Sequence, residues 1–85
     1  MNREVLRSIL EEKLSPRLLR MGMNVDELTP DLDLVRTGIL DSLGFVDLIT
    51  ELESITGRQV ELEKAFDRSG ATTLRGITDL FLQDQ

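Results

Sequence analysis

Gly38-Ile39-Leu40-Asp41-Ser42-Leu43, near the middle of an 85-residue chain, decides how the rest is read. Asp41 is a good helix N-cap, because its carboxylate can accept from the orphan N–H groups of a first helical turn. Ser42 then falls at the first helical position, at the positive end of the helix dipole. There an anion such as a phosphate ester is favoured. In the plainer reading, Asp41 and Ser42 simply start a helix.

Downstream of this stretch, Phe45, Val46, Leu48, Ile49, Leu52 and Ile55 form a wide apolar stripe, which predicts a helix over Ser42–Thr56. Asp47, Thr50, Glu51 and Ser54 take the other side, Glu53 lies near the boundary, and Gly57 is a natural stop. Upstream, residues 22–41 show no sustained period and carry Gly22, Asn24, Pro30 and Gly38. A loop of this length is uncommon in a compact domain. Leu28, Leu32, Leu34, Val35, Ile39 and Leu40 predict that it is tied down over a helical core.

Further out, Val5, Leu6, Ile9, Leu10 and Leu14 predict an amphipathic helix from Arg3 to Leu14. Pro16 cannot donate the bond a continuing helix needs, so an interruption is expected at Ser15-Pro16. Leu18, Leu19 and Met21 then suggest a short continuation that Gly22 stops. After Gly57, an extended link at Arg58-Gln59-Val60 leads to a brief helix over Glu61 to Phe66, with Leu62, Ala65 and Phe66 turned inward. Asp67-Arg68-Ser69-Gly70 reads as a turn. Thr72 or Thr73 caps a last helix marked by Leu74, Ile77, Leu80 and Phe81. The expected fold is all-α: a small four-helix bundle with a long first loop and a short third helix, one domain over residues 1–85.

Composition narrows the chemistry. Without cysteine there is no disulfide scaffold, and without histidine the commonest general base and metal ligand are missing. No metal site is expected. With no tryptophan or tyrosine and only three phenylalanines, little can stack on bases, and a net charge of −6 argues against nucleic acid and anionic membranes. No stretch approaches the ~20 apolar residues of a membrane span. The charged amphipathic start at Met1-Asn2-Arg3-Glu4-Val5 carries no signal-peptide core, which predicts a cytoplasmic protein.

Charge is uneven along the chain. Residues 1–20 hold five basic and three acidic side chains, whereas residues 21–57 hold one basic and eight acidic. The acidic middle reads either as a solvated surface or as a docking face for basic partners, centred on the helix after Ser42. A calcium loop starting at Asp31 fails on its own spacing. Val35 stands at the fifth position, Arg36 where glycine is needed and Ser42 where glutamate is needed. Ser42 as a nucleophile lacks an activating partner, since the only lysines are Lys13 and Lys64. It is better suited to being modified than to catalysing, and no enzyme is expected.

With Gly44-Phe45-Val46-Asp47-Leu48-Ile49-Thr50-Glu51-Leu52-Glu53 behind it, the Gly38–Leu43 stretch resembles the attachment region of the acyl carrier protein superfamily. Thr29-Pro30-Asp31-Leu32-Asp33-Leu34 is similar to the start of that family's loop, and the likeness covers essentially the whole chain. The resemblance implies that a phosphopantetheinyl transferase attaches 4′-phosphopantetheine to Ser42 from coenzyme A. The arm's thiol would then carry an acyl or aminoacyl group as a thioester, which supplies the sulfur the chain lacks. It further implies a stand-alone monomeric carrier loaded by an acyl- or amino-acid-activating ligase and serving downstream acyl-transfer or synthase enzymes. Asp41 would cap the helix and lie near the transferase's magnesium, and Leu43 would flank the arm and contact partners. Asp47, Thr50, Glu51, Glu53 and Ser54 would line the recognition helix.

Gly44 stands where carriers of fatty-acid synthesis usually have an acid. That likeness leans toward the D-alanyl, aminoacyl or specialised-metabolite carriers. The competing reading is an acidic helical interaction module with no prosthetic group, in which Ser42 is only part of a helix start.

Overall fold

The computed structural model describes residues 2–61, 63 and 70–82. Among these the chain is all-α, with helices α1 (Arg3–Arg20), α2 (Ser42–Thr56) and α3 (Leu74–Leu82), and one 3₁₀ turn at Val25–Glu27. The brief helix expected over residues 61–66 lies outside the described residues apart from Glu61 and Glu63. Of the turn expected at Asp67-Arg68-Ser69-Gly70, only Gly70 is described, in a turn at φ 73°.

Helix α1 corrects the expected break at Ser15-Pro16: it runs unbroken through Pro16. The proline removes one backbone bond and crowds the carbonyl four residues back, a cost of about 3 kcal/mol. That carbonyl belongs to Glu12, on an exposed part of the helix where water can satisfy it. On either side of the proline, Leu14 and Leu18 are each buried to 1% exposure. Burying such a side chain contributes roughly 1.5–3 kcal/mol, so the two together offset the defect. Leu6 and Leu10 continue the same buried row. The Asn2 side chain caps the start by accepting from Val5 N–H at 2.8 Å. At the other end the N–H groups of Gly22 and Met23 donate back to the Leu19 and Leu18 carbonyls. The chain turns there through Gly22 at φ 72°, which is the Schellman arrangement.

The loop is anchored as its apolar residues predict: Leu28, Leu34, Ile39 and Leu40 are buried, and Leu32 and Val35 pack against the core. Its middle is also bonded to the start of α3. Leu34 N–H donates to Thr72 O at 2.9 Å, Leu74 N–H to Leu32 O at 3.0 Å, and Arg75 N–H to Pro30 O at 2.8 Å. The last two satisfy first-turn donors of α3 that a helix cannot satisfy internally. Thr73 is the N-cap, its hydroxyl accepting from Gly76 N–H at 3.0 Å. Thr72 instead donates its hydroxyl to Asp33 at 2.8 Å. The choice between the two threonines is therefore made by the loop crossing in front of the helix.

Phe45, Leu48, Ile49 and Leu52 of α2 complete the core with Leu74, Ile77 and Phe81 of α3. Ile55, expected in the α2 stripe, stays 45% exposed.

Candidate functional site

The first turn of α2 is built by the residues just before it. Gly38 turns the chain in the left-handed region, at φ 83°, which a side chain would oppose. Ile39 and Leu40 are then pulled inward to 4% and 2% exposure, and Leu40 N–H is bonded to Leu34 O at 2.8 Å. Two buried anchors so force the next three residues, Asp41, Ser42 and Leu43, to the surface. Asp41 is the N-cap: its Oδ1 accepts from Gly44 N–H at 2.6 Å and its carbonyl from Phe45 N–H at 2.9 Å. Leu43 is 70% exposed, an apolar side chain left beside the serine.

The donor groups at this terminus differ from those of α3. There the first-turn N–H groups are taken by the loop carbonyls and by Thr73. In α2, Gly44 and Phe45 donate to Asp41, whereas the N–H groups of Ser42 and Leu43 have no partner among the described residues. Two unpaired backbone donors beside an exposed hydroxyl suit a negatively charged group attached to that hydroxyl.

Gly44 is buried against three neighbours. A β-carbon there would lie 3.0 Å from Asp41 Oδ1, 3.4 Å from Arg17 Nη2 and 3.5 Å from Leu40 Cδ2. A glycine in a helix costs about 1 kcal/mol relative to alanine. Here it admits the Asp41 carboxylate and the Arg17 guanidinium, so the space it leaves is filled by the protein itself. Arg17 and Arg20 also line, with Met21, Gly38, Ile39 and Asp41, a pocket of about 330 Å³. The sequence reading did not select either arginine. The only signal was the basic excess of the first twenty residues, and no periodicity says that the end of α1 meets the start of α2.

Along α2, Leu43, Asp47, Thr50, Glu51 and Ser54 share an exposed face. Glu51 is not free on it, because Lys13 Nζ of α1 lies 3.2 Å from its carboxylate. The Thr50 hydroxyl donates to Val46 O at 2.9 Å. Glu53 is half-buried and accepts from Val60 N–H at 2.9 Å, which fastens the link after α2 to the helix. Asp47 has no ion pair among the described residues.

Among the described residues, no side chain bonded to Ser42 activates its hydroxyl. The Asp41 carboxylate is engaged with Gly44 N–H, and Lys13 is paired with Glu51. The two aspartates of the rejected calcium loop are likewise committed. Asp31 pairs with Arg75 at 2.8 Å, and Asp33 accepts from Val35 N–H, Arg36 N–H and Thr72 Oγ1 at 3.0, 2.9 and 2.8 Å. Burial alone would raise the Asp33 carboxyl. The hydrogen bonds from Arg36, Thr72 and Val35, with the nearby Arg36 charge, outweigh it and hold the pKa below its ordinary value. No helix among the described residues is long and apolar enough to cross a membrane.

A family model described as the phosphopantetheine attachment site matches residues 4–81. No curated protein and no solved structure gives a significant match.

Proposed function

The chain belongs to the phosphopantetheine attachment-site family, and from that premise we propose that Ser42 is the residue that holds the group. Proteins of this family are carriers, not catalysts, and what they carry is covalent 4′-phosphopantetheine supplied by a phosphopantetheinyl transferase. The observation that carries the assignment to Ser42 is its exposed hydroxyl beside two unpaired first-turn N–H groups, presented by the buried Ile39 and Leu40. These donors suit a phosphodiester.

Each neighbour has a distinct task in this reading. Asp41 holds the helix start rigid so that the serine keeps one position. Leu43 offers partners an apolar contact, and Asp47, Thr50, Glu51 and Ser54 extend that contact along α2, with Glu53 at its edge. The thiol at the end of the arm holds an acyl or aminoacyl group as a thioester between a loading ligase and a downstream acyl-transfer or synthase enzyme. The cargo we favour is of the D-alanyl, aminoacyl or specialised-metabolite type. That preference rests on the resemblance of the Gly38–Gly44 run.

The test is an intact mass after incubation with coenzyme A, magnesium and a broad-specificity transferase. One phosphopantetheine should add to the wild-type chain and none to Ser42→Ala. An unmodified wild type, or an adduct that survives the substitution, would remove Ser42 from this role. In that event partner binding that ignores Ser42→Ala would favour the acidic interaction module.

A further inference from the structure

The hollows where α1 meets α2 have acids in their walls: Asp41 lines one and Glu51 another. A cleft between α1 and α3 has none among the described residues. It measures about 200 Å³ and is lined by Arg3, Arg7, Pro30, Leu74, Arg75 and Thr78. Arg3 and Arg7 stand one turn apart on α1, and Leu74, Arg75 and Thr78 belong to the start of α3. Pro30 is fixed beside them because its carbonyl accepts from Arg75 N–H at 2.8 Å. Three guanidinium groups thus meet beside Pro30 and the buried Leu74, in a chain of net charge −6.

Asp79 holds Arg3 and Asp31 holds Arg75, each at 2.8 Å, but neither acid lines the cleft. A guanidinium has five N–H donors, so one carboxylate contact leaves others to spare. Arg7 is less well served. Its Nη2 reaches Val25 O only at 3.5 Å, and Glu11 Oε1 stands 3.8 Å from its Nε. Charge-assisted bonds run at about 2.7–2.9 Å. The Arg7 Nε is itself buried and makes no hydrogen bond. A half-buried cation with two such long contacts gains from an anion that its outer nitrogens can reach.

We propose that this cleft binds an acidic peptide segment of a partner protein. One apolar side chain of the segment packs on Pro30 and Leu74, and its flanking carboxylates pair with Arg3, Arg7 and Arg75. Guanidinium groups stay charged at every relevant pH and offer planar donor pairs that match a carboxylate. The apolar part of the wall selects against a bare inorganic anion, which has nothing to place there. Nucleic acid is disfavoured by the net charge and by the lack of any aromatic side chain in the lining. The site is independent of the assignment of Ser42. Ten residues of α1, about 15 Å of helix, separate Arg7 from Arg17, which lies over Gly44. A segment held here therefore leaves the Ser42 end of the molecule open. Because the contacts are electrostatic and partly exposed, added salt weakens them.

The test is an NMR titration of the ¹⁵N-labelled chain at low salt with the end-blocked peptide Glu-Asp-Leu-Asp-Glu. Its readouts are the Arg7 Nε–H, which burial shields from exchange, and the backbone amides of Arg75 and Thr78. The peptide should give saturable shifts at these groups. The Arg3→Gln, Arg75→Gln double variant should bind about tenfold more weakly, the scale for losing two exposed charge contacts. Arg75→Gln alone, at an exposed position, should fall between, and it keeps the test valid where the double variant fails to fold. Replacing the leucine of the peptide by glycine should weaken binding as well. The absence of saturable shifts at millimolar peptide would overturn the proposal. Binding that Arg75→Gln leaves unchanged would place the peptide elsewhere and overturn it too. Inorganic phosphate or the glycine peptide binding as tightly as the leucine peptide would reduce the cleft to a general anion site, which also overturns it. None of these results touches the Ser42 assignment, which the intact-mass experiment decides separately.

Discussion

Asp33 and Thr72, separated by 39 positions, are joined by a 2.8 Å hydrogen bond in which the threonine hydroxyl donates to the carboxylate. That carboxylate also accepts from two N–H groups of its own turn, at Val35 and Arg36. One side chain thus shapes the loop and ties it to the approach to α3. The loop in turn ends at the buried Ile39 and Leu40, which set the height of Ser42 at the surface.

Thr72→Val should lower stability by about 1.5–3 kcal/mol, the scale for losing one bond to a charged acceptor. Asp33→Ala should cost more. The Asp33 carboxyl is held below its ordinary value in the fold, so its ionised form stabilises the native state. That contribution is present above the unfolded pKa and disappears as pH falls through the lowered folded value. Acid titrations of denaturant midpoints should therefore show a shallower fall for Asp33→Asn than for wild type in the most acidic part of the range. Parallel curves would assign the bond network no role in acid stability.

Pro16→Ala should raise stability by about 1–3 kcal/mol, because it restores a helix bond in an exposed stretch of α1. Urea denaturation of the two proteins measures it directly. An unchanged midpoint would mean that the proline is accommodated without cost.

Gly76→Ala should act against helix propensity. In an exposed helix this change stabilises by about 1 kcal/mol. In α3 the new β-carbon would collide with the backbone carbonyl of Gly70 and lie 2.9 Å from that of Ala71. Backbone atoms cannot swing aside as a flexible side chain can. A loss of about 1–3 kcal/mol is expected, read as a lower thermal midpoint, and a gain would contradict the close approach.

Lys13→Gln should free Glu51 and speed loading by a basic transferase at low salt, while Asp47→Asn should slow it. Each effect should be about twofold, the factor that a unit charge at ~10 Å gives in water. Both should fade as the Debye length shrinks with added salt. Loading rates that are the same in all three proteins at low ionic strength would remove α2 as an electrostatic docking face.

Much of this was legible in the residue pattern. The limits of α2 follow from Asp41 before it and Gly57 after it, and the structure finds the cap and the left-handed glycine there. The loop anchors could be named from their apolar character alone. The split of α1 at Pro16 was misread because the rule against proline is local, whereas the burial of Leu14 and Leu18 that overrides it comes from the packed core. The acidic face of α2 was legible as charge. The commitments of Glu51 to Lys13 and Glu53 to Val60 N–H were not.

By itself, then, the sequence determined a helical chain, an acidic middle and an exposed hydroxyl behind an aspartate cap. These follow from side-chain periods and capping chemistry that act over three to five residues. Only the tertiary structure decided that Thr73 caps α3 while Thr72 holds Asp33, and that Arg17 of α1 lies over Gly44 in the first turn of α2. Which side chains meet across two helices depends on their rotation and crossing, set by the packing of the whole core, and no local pattern carries that information.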